Sequence, residues 1–167
     1  MLFLSIDCLK RLSVSVTTAL VVFSTAGEPG TAASLDQIPS DWMPLVRALR
    51  AAGYDFRFSK PPVDGAYGAT NARKKILWVA PISIDMGIGR QTLIHEAVHA
   101  AQGCPDGKYV PIGWQLSLPH AVKRAIEAIL YKQYPHSKFP IEREAFTMQS
   151  HPQAFSEISK ALKERCK

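Results

Sequence analysis

The stretch TLIHEAVHAA, residues 92–101, carries the strongest structural signal in this sequence. Glu96 is its only acidic or basic residue besides the two histidines. The pattern predicts a helix from about Arg90 to Gln102 that ends at Gly103. Because a helix that is apolar nearly all round is normally a buried one, we expect this helix in the interior of the domain.

Within this helix, residues 95–99 read His-Glu-Ala-Val-His. Residues four apart lie on one helix face, about 40° apart and roughly 6 Å along the axis, so His95 and His99 can reach the same metal ion. Glu96 is turned by about 100° from His95, which places its carboxylate beside the metal, where it can hold a water molecule. The arrangement indicates a zinc hydrolase centre. The alternative is that both histidines bond to neighbouring backbone or carboxylate groups without a metal.

The stretch Thr92–Ala101 resembles the active-site helix of the zincin metalloproteases, in which uncharged residues also surround the motif. The resemblance implies a small α+β domain with a few-stranded sheet, the active-site helix and later helices. It extends less tightly to the predicted strand Lys75–Pro81, which would correspond to the sheet edge that lines a zincin cleft. That edge is expected to pair with the main chain of an extended substrate.

A third protein ligand is needed, because catalytic zinc keeps three ligands and one open position. Zincins with a third histidine place it six residues beyond the second, where this chain has Pro105. The gluzincin branch takes a glutamate from a later helix, often within Glu-x-x-Ala-Asp, and Glu142-Arg-Glu-Ala resembles this pattern. Since Glu142 and Glu144 point about 200° apart on a helix, only one can face the metal. Glu142 is preferred, and Glu144 stays the alternative.

The sequence departs from the gluzincin pattern at Phe146, where the family has an aspartate that orients a motif histidine. The partners of the two imidazoles are therefore unassigned. The group that steadies an oxyanion, a histidine or tyrosine in some gluzincins, is open as well. Its candidates are His120, His136, His151, Tyr109, Tyr131 and Tyr134.

The order of predicted elements favours the α+β class. A helix is expected from Asp41 to about Ala52, followed by a strand over Tyr54–Phe58, and residues 60–72 are expected to form turns around a short piece near Ala66–Tyr67. Three helices with a proline in the first turn are expected after the central one. They cover Pro119–Lys132, Pro140–Ser150 and Pro152–Lys163.

The first 26 residues have the pattern of a secretory signal peptide. Lys10 and Arg11 precede an uncharged run over residues 13–23, and small residues allow cleavage after Ala26 or after Ala33. The run is shorter than the roughly 20 apolar residues of a membrane anchor. A buried N-terminal strand or helix is the alternative. We expect residues 27–39 to form a flexible leader and residues 40–167 to form the metallopeptidase domain.

The cysteine content agrees with export. Removal of a signal peptide would take Cys8 away and leave Cys104 and Cys166. An even pair in an oxidising compartment is a candidate disulfide, and two unpaired thiols are the alternative.

The formal net charge of +6 is spread along the chain and does not indicate nucleic-acid binding. The expected protein is an exported, secreted or periplasmic Zn²⁺-dependent peptidase, with Glu96 as the base and His95, His99 and Glu142 as metal ligands. Its partners would be peptide or protein substrates, without stable membrane insertion, and its oligomeric state is unknown. The alternative is a secreted, non-catalytic zinc-binding interaction module on the same scaffold.

Overall fold

The computed structural model of the 167-residue chain describes residues 2–5 and 37–167. The strands are β1 (Leu2–Ser5), β2 (Asp55–Phe58), β3 (Ala66–Asn71) and β4 (Ile76–Val79). The helices are α1 (Met43–Ala51), α2 (Ile82–Asp85), α3 (Gly89–Gln102), α4 (His120–Gln133), α5 (Phe139–Gln149) and α6 (Ala154–Arg165). Short 3-10 turns cover Ser40–Trp42 and His136–Lys138. The predicted α+β class is confirmed.

The strands form one mixed sheet in the order β1-β3-β4-β2. β3 runs antiparallel to both β1 and β4, and β2 runs parallel to β4. The prediction that Lys75–Pro81 supplies a free edge is therefore wrong, because its strand, β4, is paired on both sides. The physical reason lies in its composition: Leu77, Trp78 and Val79 are all buried, and a continuous apolar run fits the interior of a sheet.

β3 is longer than the sequence pattern predicted, since residues 60–72 were expected to form turns around only a short piece near Ala66–Tyr67. Its sequence, AYGATN, contains small residues and lacks the β-branched run typical of a strand. Ala69 and Thr70 are fully buried, and β3 packs against α3. The strand is thus stabilised by its tertiary contacts more than by its own propensity.

α3 is the central helix of the domain, as its apolar sequence predicts. Every residue from Thr92 to Gln102 is buried. The helix packs against β3 and β4 on one side and against α5 and α6 on others. A second, smaller apolar cluster joins α4 to α5 and is built on Ile126, Leu130, Phe139 and Phe146.

The predicted helices are present with shifted ends, and α2 is additional. The first begins as a 3-10 turn at Ser40, and Gly53 follows its end with a φ of 85°. Ile38, which was assigned to the flexible leader, is only 7% exposed and packs in the main core, so the folded domain begins before residue 40. None of the helices in the described residues is long and apolar enough to span a bilayer.

The predicted disulfide between Cys104 and Cys166 is confirmed. It joins the residues that follow α3 and α6, 62 positions apart in the chain. Arg165 donates from Nε to the carbonyl of Ala101 (3.0 Å) and holds the same two helix ends together. The predicted signal peptide lies outside the described residues, apart from the four residues of β1.

Candidate metal centre

Three side chains from two helices meet beside the C-terminal half of α3. His95 and His99 lie on the face of α3 that packs against α5, one turn apart, and their Nε2 atoms are 3.0 Å from each other. Glu142 lies in the first turn of α5, where the positive end of the helix dipole favours a carboxylate. Its Oε2 is 3.3 Å from Nε2 of His95 and 3.4 Å from Nε2 of His99.

These separations suit a tetrahedral cation. Ligands about 2.0–2.1 Å from a tetrahedral Zn²⁺ stand about 3.3–3.4 Å from one another. The three side chains are at most 1% exposed, and neither carboxylate oxygen of Glu142 accepts a hydrogen bond from any of the described residues. A buried carboxylate without such a bond is costly unless a cation compensates it. The residues of this cluster therefore fit a bound metal ion.

The electrostatics of the cluster also favour a cation. Burial lowers the pKa of His95 to about 4. Burial would lower the pKa of His99 too, but the contact with the Glu142 carboxylate raises it above its ordinary value. Burial opposes ionisation of Glu142, yet the two imidazoles outweigh it and hold the pKa of Glu142 at about 2. The buried Glu142 carboxylate therefore favours a positive charge at the two imidazoles, which a protonated His99 or a bound cation supplies.

Glu96 lies beside the cluster and is fixed by β3. The hydroxyl of Thr70 is 2.9 Å from both the carbonyl oxygen and Oε2 of Glu96, and it can donate its one hydrogen to either. The other carboxylate oxygen, Oε1, is buried and accepts no hydrogen bond within the described residues. Burial raises the pKa of Glu96 to about 7. One oxygen is thus held in place while the other is available to a proton.

Gly68 of β3 permits this close approach. A Cβ atom at this position would stand 2.6 Å from Cγ of Glu96 and 2.7 Å from Cγ2 of Thr92. Both distances are far below van der Waals contact, so any larger residue would displace the carboxylate or the strand.

Two glutamines are the hydrogen-bond partners of the two imidazoles, which the sequence left unassigned. Oε1 of Gln102 is 2.7 Å from Nδ1 of His99, where it accepts a hydrogen bond, whereas Nε2 of Gln149 is 3.2 Å from Nδ1 of His95, where it donates one. Phe146, at the position where gluzincins have an aspartate, stacks edge-on against His95 with ring centroids 4.7 Å apart. Each imidazole therefore has an amide partner instead of a carboxylate.

Glu144 points away from the cluster, although it is only two residues from Glu142. Its carboxylate accepts backbone N–H bonds from Ile112, Gly113 and Trp114 at 2.7–3.1 Å. Of the two glutamates left open by the sequence, the structure therefore brings Glu142 to the histidines.

The six candidates for the group that steadies an oxyanion differ in their exposure and in their distance from the histidines. His120, His136 and Tyr131 are exposed, and His151 is partly exposed. The ring of Tyr109 lies 6.0 Å from that of His99, and its hydroxyl donates to the carbonyl of Thr70 at 2.9 Å. The pKa of Tyr134 is raised by burial and by the charges of Glu142 and Glu96, which places this tyrosine within electrostatic reach of the site.

No protein-family model, curated protein or solved structure matches this chain. The assignment of a function depends on the site alone.

The sequence pattern did not identify Thr70, Gly68, Gln102 or Gln149 as residues of the site. Gln102 had a usable signal, because a polar residue on a buried helix, three positions after His99, needs partners and faces the same side. Thr70 and Gly68 had none, since their strand was itself expected to form turns.

Proposed function

We propose that this protein is an exported zinc-dependent peptidase with a gluzincin-like centre. The observation that carries the proposal is the convergence of two imidazole nitrogens and one carboxylate oxygen within 3.4 Å, with Glu96 next to them in the motif. Two histidines and a glutamate with an open fourth position are typical of catalytic zinc. The same ligands accept other divalent ions, so the choice of zinc is part of the proposal.

The proposed chemistry assigns one role to each side chain. When bound, Zn²⁺ would lower the pKa of a water molecule and polarise the carbonyl of the scissile peptide bond. Glu96 would accept a proton from the attacking water at Oε1 and deliver it to the leaving amine. In the metal-free protein burial raises the pKa of Glu96 to about 7, and a raised pKa favours a group that first accepts a proton and then delivers it. Thr70 would hold the other carboxylate oxygen still during the transfer.

We expect Gly68→Ala to impair both the fold and the reaction. The added Cβ would overlap Glu96, so the free energy of unfolding should fall by about 1–3 kcal/mol. A displacement of the base by about 1 Å should slow hydrolysis about 100-fold. Urea unfolding and kcat/KM on a cleaved peptide measure the two effects.

Gly65→Ala is the control for this variant. Gly65 directly precedes β3 and has a φ of 78°, but a Cβ there meets nothing within 4 Å. Only backbone strain of about 1–2 kcal/mol is expected, with hydrolysis unchanged. Equal rates for Gly68→Ala and the unmodified chain would contradict the proposed position of Glu96.

The outer edge of β3 is where we place an extended substrate, because this strand contacts Glu96 directly. In the full chain that edge is paired with β1. Loss of residues 1–26 with an export signal would remove β1 and leave main-chain groups of β3 free to pair with a peptide. Export and substrate access would then depend on the same cleavage.

Export itself is supported by the disulfide. Cys104 and Cys166 form a bond of a kind that persists in oxidising compartments and is rare in the cytosol. Together with the signal-like pattern of residues 1–26, it supports a secreted or periplasmic location.

One observation favours the second candidate, a non-catalytic zinc-binding module. His95, Glu96 and His99 are each 1% exposed and Glu142 is not exposed at all, so the structure holds the cluster closed. A structural metal site is closed in this way, whereas a catalytic one needs an open position.

A peptide-library assay distinguishes the two candidates. The full chain and a chain starting at Gly27, both with the disulfide formed, are incubated with the library, with and without a chelator. The peptidase proposal predicts cleavage that disappears with the chelator and returns with Zn²⁺. Zinc binding without cleavage of any peptide by either chain would favour the module.

A further inference from the structure

The side chain of Gln102 has every hydrogen-bonding group assigned. It is fully buried, and its Nε2 donates to the carbonyl of Ile141 (3.0 Å) and to Oε2 of Glu144 (2.8 Å). A carbonyl and an ionised carboxylate can only accept, so the amide nitrogen must face them. The amide oxygen consequently faces Nδ1 of His99, at 2.7 Å.

This orientation selects the tautomer of His99. An amide oxygen can only accept, so Nδ1 of His99 must carry the hydrogen. In the neutral imidazole the lone pair is then on Nε2, the nitrogen that faces His95 and Glu142. A metal-binding histidine needs this tautomer, and a hydrogen-bond partner on the other ring nitrogen fixes it.

Glu144 in turn fixes Gln102 and a backbone loop with one carboxylate. Three consecutive N–H groups, those of residues 112–114, point to its two oxygens. Gly113 has a φ of 91°, and a residue of this conformation turns neighbouring N–H groups into a concave anion-binding nest. Because Oε2 also accepts from Gln102, the loop and the His99 partner share a single acceptor.

We propose that Glu144 is a positioning residue for the metal centre and acts on His99 through Gln102. The inference rests on the proposed metal site but not on peptidase activity. Glu144 was considered from the sequence as a metal ligand, and its role here is a different one. It couples the loop of residues 112–114 to the orientation of the His99 imidazole.

The test is a Zn²⁺ titration of the full chain against a chelating indicator, without any substrate. Gln102→Leu removes the acceptor for His99 and should weaken Zn²⁺ binding about 10- to 100-fold. Gln102→Met serves where the leucine variant does not fold. Gln115→Leu, at an exposed glutamine near the same loop, is the matched control and should leave the affinity unchanged.

A double-mutant cycle separates positioning from stability. Glu144→Gln alone should weaken Zn²⁺ binding about 10-fold or more, but should add almost no further loss to Gln102→Leu. Glu144→Gln should also destabilise the metal-free protein, and by the same amount with Gln102 or Leu at position 102. In both cases the three backbone N–H groups lose a charged acceptor.

Additive losses of affinity would overturn the inference, as would an unchanged affinity in folded Gln102→Leu or Gln102→Met. A chain that binds no Zn²⁺ would overturn it too. Loss of affinity in these variants of a protein that cleaves no peptide would leave the inference intact and reject only the peptidase function.

Discussion

Glu96→Gln is expected to abolish peptide hydrolysis while the protein still binds Zn²⁺. The amide has nearly the shape of the carboxylate but cannot accept a proton, so the proposed base is removed with little change in packing. Loss of general-base catalysis should lower kcat/KM by about 10²- to 10⁴-fold. Zinc content after dialysis, measured on the same sample, checks that the proposed ligands His95, His99 and Glu142 still hold the metal.

Stability provides an independent measure of the same substitution. Burial raises the pKa of Glu96 from its ordinary 4.5 to about 7, so the folded protein loses stability as the pH rises from about 4.5 to about 7, whereas the neutral amide causes no such loss. The metal-free Glu96→Gln protein should therefore unfold at a higher temperature than the unmodified one at pH 8, and at a similar temperature at about pH 4, below both pKa values. Glu164→Gln, at an exposed position, should change neither hydrolysis nor stability. A zinc-loaded Glu96→Gln protein with full activity would remove Glu96 from the mechanism.

The central helix shows what a single sequence can predict well. Its apolar residues, the four-residue spacing of its histidines and the glycine after its end are all local features, and they specify its buried position and the direction of His95 and His99. Glu142 was reached differently, from its resemblance to the gluzincin pattern, and helix geometry added only that Glu142 and Glu144 cannot both face the metal. The cysteine pair was also found, because only two cysteines remain after the signal-like segment.

The side chains that hold the site residues in place were harder to predict, because they make contacts between segments that are far apart in the chain. Thr70 reaches Glu96 across 26 positions, and Gln102 reaches Glu144 across 42. The strand that carries Thr70 has little intrinsic strand propensity and is stabilised by packing on α3. The place of β4 between two strands was missed for the same reason, since strand order is a property of the whole sheet.

Glu142→Gln is expected to weaken Zn²⁺ binding more than Glu96→Gln does. The amide replaces a carboxylate whose Oε2 lies 3.3 and 3.4 Å from the Nε2 atoms of the two histidines and which accepts no hydrogen bond within the part of the chain that the structure describes. Loss of a hydrogen-bond partner outside the ligand set typically costs 10- to 100-fold in affinity, so loss of a direct ligand should weaken Zn²⁺ binding by more than about 100-fold. The same chelator competition measures this loss, and hydrolysis should fall in parallel.

The comparison with Glu144→Gln makes this prediction specific. Both variants remove one buried negative charge from α5, and only Glu142 faces the histidines. If Glu142 is the third ligand, its variant binds Zn²⁺ more weakly than the Glu144 variant, whereas the Glu144 variant loses more stability without metal, because three backbone N–H groups depend on it. The reverse order of affinities would identify Glu144 as the ligand and would require the 112–114 loop to release it. Because the two residues are neighbours on one helix, a general effect of lost charge cannot produce opposite rankings in affinity and stability.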